Sequence, residues 1–138
     1  MASENAEFGI TEVRWSLFPG GGSTVRYPRQ IAYCHAMELL LLGDSVSAQD
    51  AFRMGIVNKV VPLGDLLETA LAYARAIVRN GPVATQAIKE AVLREQGVPT
   101  DVAYLIERHF SRFVFESEDA KEGPRAFAEK REPRYTGR

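Results

Sequence analysis

Only two stretches of this chain are patterned as β-strands, and two short strands do not make a stable sheet, which usually needs three or more with a packed face. In the first, Thr11 to Phe18, residues alternate after Glu12: Val13, Trp15 and Leu17 share one face, Arg14 and Ser16 the other. It stops at Pro19-Gly20-Gly21-Gly22, a run that ends any regular element. The second, Ile56-Val57-Asn58-Lys59-Val60-Val61, is β-branched at most of its positions and is closed by Pro62. The chain is therefore either an α-rich unit with an odd extended arm or a piece of a larger sheet. The apolar content around Trp15 favours the second.

Everything else reads as helix or connection. Ser23 to Ile31 suits a short helix broken or delayed by Pro28, and Tyr33 to Leu42 an unbroken one. Ser47 is a plausible N-cap for the segment to Met54, with Asp50 three residues on and Gly55 just past the end. After Pro62, the residues Leu66, Leu67, Ala70, Leu71, Ala74, Ile77 and Val78 form one apolar stripe. A second stripe runs through Ala87, Ile88, Ala91 and Val92. A third, in a helix opened by Thr100, runs through Val102, Leu105, Ile106, Phe110, Phe113 and Val114. The last helix spans Ser117 to about Glu129, with Gly123-Pro124 expected to bend or delay it.

A length of 138 residues suits one modest domain, and 46% hydrophobic with 25% charged residues is ordinary globular composition. Seventeen Lys and Arg nearly balance eighteen Asp and Glu, so no whole-molecule field points to nucleic acid or an acidic membrane. The stretch Lys121 to Arg138 is locally basic, suited to a phosphate-bearing ligand or to solvent. One cysteine, Cys34, allows no intrachain disulfide and points to a reducing compartment. No apolar run approaches the length of a membrane span, and the first residues lack the pattern of a signal peptide. The expected location is cytoplasmic.

Four blocks occur in the order and spacing of a known family. The run Glu7-Phe8-Gly9-Ile10-Thr11-Glu12-Val13-Arg14-Trp15-Ser16-Leu17-Phe18-Pro19-Gly20-Gly21-Gly22-Ser23-Thr24 resembles the segment F-G-x-P-E-x-x-x-G-x-x-P-G-x-G-G-T of the crotonase (enoyl-CoA hydratase/isomerase) family. Glu38 to Asp44 with Ser47 to Ala51, then Gly55 to Pro62, then Glu122 to Arg131 resemble successive family blocks. Thr11 stands where the family has proline, Ser16 where it has glycine, and Gly22-Ser23 replaces a Gly-Gly pair. The resemblance implies an α/β fold: the C-terminal part of a crotonase-like ββα spiral in residues 1–62, incomplete, followed by a helical trimerisation region in 63–138. The front half of the family pattern, with the acyl-CoA-binding strands, the oxyanion-hole amides and the first glutamate, has no counterpart here.

The resemblance implies acyl-CoA substrates and water addition to a 2-enoyl thioester, with coenzyme A as part of the substrate and no separate cofactor or metal. Two backbone N–H groups polarise the thioester carbonyl in such enzymes, and two glutamates handle water and the α-carbon proton. Glu12 matches the second glutamate, and an apolar pocket near Trp15 would raise its pKa. Gly20 matches the glycine whose amide helps to position the water. The Gly20–Thr24 run lacks the Gly-Lys-Ser/Thr ending of a phosphate-binding loop. Lys130 matches a basic position near the phosphate end of CoA, often contributed by a neighbouring subunit.

On residue type alone these positions are a surface charge, a bare turn and a solvated lysine. Phe113 and Phe115 read as packing before they read as ligand-lining. His35, His109 and Cys34 carry no partner pattern for metal or nucleophilic chemistry. Expected partners are an acyl-CoA and further copies of the chain, as a homotrimer or a hexamer of two trimers, with no nucleic acid and no membrane. Three readings compete with hydration. The first is isomerisation with Glu12 as the single proton shuttle. The second is a truncated, inactive fragment that persists as an oligomerising or binding module. The third is an unrelated helical domain, which helical structure over Glu12–Phe18 would favour.

Overall fold

The computed structural model describes residues 1–138 as mixed helix and sheet, in two compact units, Met1–Leu71 and Ala72–Arg138. In the first unit, β1 (Ala2–Ser3) pairs in parallel with β4 (Val60–Val61), and β2 (Glu7–Phe8) pairs antiparallel with β3 (Val46–Ser47). All four strands are two residues long, so these ladders are fragments of sheet held by what packs on them. Of the expected Ile56–Val61 strand only Val60–Val61 is extended and paired. Its partner at Ala2–Ser3 carries no alternating pattern by which the sequence could have announced it.

The other expected strand is not one. Glu12–Trp15 forms a single 3-10 turn, closed by Arg14 N–H to the Thr11 carbonyl (3.1 Å), Ser16 N–H to Val13 (3.1 Å) and Leu17 N–H to Glu12 (3.0 Å). The alternation of Val13, Trp15 and Leu17 reflects no ladder: Val13 is half-buried, while Trp15 and Leu17 are 75% and 61% exposed.

The helices follow their sequence signals closely. The first, α1 (Ser23–Gln30), contains Pro28 without breaking, and α2 (Tyr33–Leu42) ends at Gly43. Ser47 caps α3 (Ala48–Arg53) by accepting the Asp50 N–H at 3.1 Å, and its hydroxyl donates back to the Asp50 carboxylate at 2.5 Å. That hydroxyl and the Arg53 guanidinium hold the Asp50 carboxyl below the usual carboxylate range. The core of this unit is Ile10, Ile31, Ala36, Leu39 and Leu40, with Tyr27, Val46, Met54 and Ile56 packed against it. α4 (Leu66–Val78) runs across the division between the units.

In the second unit, α5 (Pro82–Glu95) packs along α6 (Thr100–Phe115), and α6 also touches α7 (Glu118–Ala128). Ala87 and Ala91 are the buried residues of α5, small enough to let α6 approach. Gly123-Pro124 does not interrupt α7, which Ser117 caps through the Ala120 N–H at 3.1 Å.

The apolar stripes are real but largely uncovered. α4 and α6 bury no residue completely, and Leu67, Ile77, Val78, Leu105, Phe113 and Phe115 are more than half exposed. The hydrophobic residues sealed to 1% or less are all alanines: Ala36, Ala48, Ala51 and Ala126. The chain exposes 10195 Å² at a mass of 15.3 kDa. A single folded monomer of that mass exposes roughly 7,100 Å², and two separate folded bodies of half the mass roughly 8,600 Å². The excess is surface that a self-sufficient fold would have buried. No helix is long and apolar enough to cross a membrane.

Gly43 links α2 to the 3-10 turn. Its φ is +69°, and a Cβ there would lie 2.7 Å from Arg14 Cγ and 2.9 Å from Val13 Cγ1. Gly43→Ala is therefore expected to destabilise the chain by about 2 kcal/mol, from left-handed strain plus the clash. Urea denaturation of the two proteins side by side measures it.

Candidate functional site

Glu12 opens the 3-10 turn and is half-buried; it is held there by its neighbours, not by a side-chain hydrogen bond of its own. Val13 and Arg14 rest against Gly43, and Arg14 lies 3.4 Å from Asp44 in an exposed ion pair of small energetic weight. The far end of the turn is Ser16, in the left-handed conformation at φ +54° and ψ +31°. That conformation costs a non-glycine residue roughly 1–2 kcal/mol. Serine holds this backbone shape under strain, where a glycine would adopt it freely. The apolar pocket expected around Glu12 from Trp15 does not form within this chain: Trp15, Leu17 and Phe18 turn outward, with Phe18 78% exposed.

Pro19 is buried and Gly20 is exposed at the head of the glycine run. The Gly20 carbonyl accepts from the Ser23 N–H at 3.5 Å and the Ser23 hydroxyl at 3.4 Å, which ties the run to the start of α1. Left-handed φ falls on Gly21 (+66°) and Gly22 (+92°), not on Gly20. A Cβ at Gly20 would meet nothing within 4 Å, so no atom of this chain requires glycine there. Glu12 and Gly20 lie in the same unit, eight residues apart across the outward-facing Trp15–Phe18 segment, with no hydrogen bond between them.

Lys130 belongs to the second unit. It sits one residue past the cap of α7, again left-handed, at φ +54°. The Lys130 N–H donates to the Phe127 carbonyl (3.2 Å) and the Arg131 N–H to Ala126 (3.1 Å). This paired closure of a helix end is one at which glycine is the usual residue. The lysine ammonium makes no hydrogen bond or ion pair, whereas Arg131 beside it is fully engaged. Its guanidinium meets Glu122 through both nitrogens (2.6 and 3.0 Å) and Glu129 through Nε (2.5 Å).

Sequence reasoning missed how the tail is tied down. Glu122 also accepts the Arg134 N–H at 2.8 Å. Asp119, only 6% exposed, accepts the N–H groups of Thr136 (2.7 Å) and Gly137 (3.0 Å) and the Thr136 hydroxyl at 3.4 Å. The Asp119 N–H donates to the Arg138 carbonyl, and Tyr135 lies against Gly81. The basic stretch is thus strapped along α7 by two of its own carboxylates. The spacing of Asp119 and Glu122, one helical turn apart on α7, was the available signal.

Phe113 and Phe115 are 58% and 77% exposed, so neither packs as the sequence suggests. Phe115 edges a groove of about 230 Å³ between α5 and α6, lined otherwise by Ala84, Ala87, Ile88, Ala91, Phe110 and Val114, with Glu107 and Ser111 on its rim. His35 stands 3.8 Å from Glu38, too far for a hydrogen bond, and His109 meets Phe110 edge-on. No group of three or more His, Cys, Asp or Glu side chains is placed to hold a metal ion.

A glutamate on the 3-10 turn, a left-handed serine at its end and a glycine run after it follow one another in the first unit. The chain belongs to the enoyl-CoA hydratase/isomerase family, whose sequence model matches residues 1–138. Enoyl-CoA hydratase EchA19 of Mycobacterium tuberculosis is 49% identical over the whole chain, which spans 52% of that protein. Carnitinyl-CoA dehydratase of Salmonella typhimurium is 35% identical, with all of this chain matching 54% of it. Among solved structures, an enoyl-CoA hydratase/isomerase from Mycobacterium abscessus superposes with a TM-score of 0.96 at 47% identity, over 99% of this chain and 57% of the other. An enoyl-CoA hydratase from Mycobacterium tuberculosis gives 0.94 at 41% identity, over 99% and 54%. The α/β crotonase-like fold follows, and the chain spans about half the length of the relatives it matches. Because the family match covers the whole chain, the turn of 3-10 structure at Glu12–Trp15 gives no support to an unrelated helical domain.

The strap carries a definite pH dependence. Hydrogen bonds from Arg131, then the Arg134 N–H, lower the Glu122 carboxyl from 4.5 to about 2. A folded value below the unfolded one means that the stabilisation is complete above pH 4.5 and is lost as pH falls towards 2. Between those limits, protection of the Arg134 amide relative to its intrinsic exchange rate at each pH is expected to fall, and in Glu122→Gln to be already low at pH 6. Hydrogen-exchange NMR reads both.

Proposed function

We propose that this chain supplies the second catalytic glutamate and the CoA-facing tail of an enzyme that adds water across the double bond of a 2-enoyl-CoA thioester. The observation that carries this reading is the position of Glu12. Glu12 is half-buried on a 3-10 turn that packs against Gly43, eight residues ahead of Gly20, which is exposed and open to approach. In this reading Glu12 exchanges the α-carbon proton, and the Gly20 amide orients the water that adds at the β-carbon. Lys130, free and exposed, meets the phosphate end of CoA. A lysine kept where glycine would relieve backbone strain supports a use for its charge. Cofactor and metal play no part in this scheme.

Relatives named as a hydratase and a dehydratase favour hydration over double-bond isomerisation, since the two names describe one bond-making step in opposite directions. The polarising N–H donors and the first glutamate have no counterpart among residues 1–138. The 138-residue chain by itself is therefore expected to show no loss of enone absorbance with crotonyl-CoA. Joined to the N-terminal half of EchA19, it is expected to hydrate crotonyl-CoA, and Glu12→Gln in that chimaera to lower kcat by roughly 10²–10⁴-fold, the usual contribution of a positioned acid or base. Full activity in the Glu12→Gln chimaera would remove the catalytic role.

The uncovered faces of α4 and α6 support self-association of residues 63–138, as a trimer or a pair of trimers. Burying their apolar surface is worth about 25 cal/mol per Å². Sedimentation equilibrium at micromolar concentration is expected to give a multiple of 15.3 kDa; a single 15.3 kDa species would count against it.

A further inference from the structure

The two adjacent cations after α7 are treated in opposite ways. Arg131 is tied to two carboxylates and to the Glu132 carbonyl (3.1 Å), while the Lys130 ammonium has no partner at all. The backbone of Lys130 is fixed from both sides. Upstream, its own N–H and that of Arg131 close the end of α7 on Phe127 and Ala126. Downstream, Glu122 grips the Arg131 guanidinium at 2.6 and 3.0 Å and the Arg134 N–H at 2.8 Å. Glu122 keeps only 16% of its side chain exposed, so this grip is sheltered in a way that surface ion pairs are not. A residue at φ +54° is held by its surroundings, because its intrinsic preference is elsewhere.

We propose that Glu122 is a positioning residue for Lys130: by clamping Arg131 and the Arg134 amide it fixes the direction in which the free lysine projects towards the phosphates of CoA. The proposal rests on the reading of Lys130 given above. A long, flexible side chain gains affinity for a phosphate when the backbone that launches it is already ordered, because less freedom is lost on binding. Asp119 holds the other end of the same strap, through Thr136 and Gly137, and has no part in the clamp on Arg131. It separates the positioning of Lys130 from general docking of the tail.

Coenzyme A is titrated calorimetrically, at low ionic strength, into this chain joined to the N-terminal half of EchA19, with the helical circular dichroism signal of each variant recorded first. Lys130→Gly is expected to weaken binding about fivefold, the equivalent of one lysine near a phosphate. Glu122→Gln and Arg131→Gln are each expected to weaken it about threefold or more. The double variant Lys130→Gly with Glu122→Gln is expected to be no weaker than Lys130→Gly alone, because a clamp acts only through the group it positions. Asp119→Asn is expected to leave affinity unchanged. Unaltered affinity in both Glu122→Gln and Arg131→Gln, or losses that add in the double variant, overturns the positioning role and leaves Lys130 as a ligand. If the unmodified chimaera does not bind CoA, or Lys130→Gly binds as well as it does, the reading of Lys130 itself fails and the clamp with it. Should Glu122→Gln lose its helical signal, Arg131→Gln decides the matter.

Discussion

The contact between Gly43 and the Glu12–Trp15 turn governs the local geometry of the candidate site. Helix α2 buries Ala36, Leu39 and Leu40 in the core of the first unit, which makes its C-terminal end a fixed reference point. A left-handed glycine ends the helix there, and its missing side chain is the space that Val13 and Arg14 occupy. The glutamate one residue earlier inherits its position from that fit. The exposed Arg14–Asp44 pair adds little; the steric match decides.

The same chain leaves much of its apolar surface uncovered. Its ladders are two residues long, its most deeply buried apolar side chains are alanines, and Trp15, Phe18, Phe113 and Phe115 face outward. Such surfaces fit a chain that spans about half the length of its relatives and shares their fold. The polar tail behaves differently. It is tied in by its own carboxylates, with Asp119 and Glu122 each accepting backbone N–H groups from the strap. Within the second unit, hydrogen bonding to α7 fixes the tail while the apolar faces of α6 stay largely open.

Helices were legible because their signals are local. Ser47 with Asp50, Gly55 past the end of α3, and unbroken runs such as Tyr33–Leu42 mark boundaries that the structure keeps. Strands were not, because a two-residue ladder is set by its partner and leaves no period to read: Ala2–Ser3 pairs with Val60–Val61 across nearly sixty residues of sequence. Alternation at Val13, Trp15 and Leu17 misled for the same reason, since no partner strand lies alongside and the backbone closes into a 3-10 turn. Of the candidate site, Glu12, Gly20 and Lys130 were singled out by resemblance to the family. The left-handed backbone at Ser16 and Lys130, and the clamp by Glu122, needed coordinates, because neither residue type announces its φ.

The central claim is that the Glu12 carboxylate reaches the α-carbon of an acyl thioester. Its most direct test is deuterium wash-in at that carbon, which needs the base and the polarised carbonyl but not the added water. Butyryl-CoA in D₂O, with this chain joined to the front half of EchA19, is predicted to gain deuterium at the α-carbon, by mass spectrometry, only while residue 12 is glutamate. Wash-in at an undiminished rate with Glu12→Gln would contradict the account.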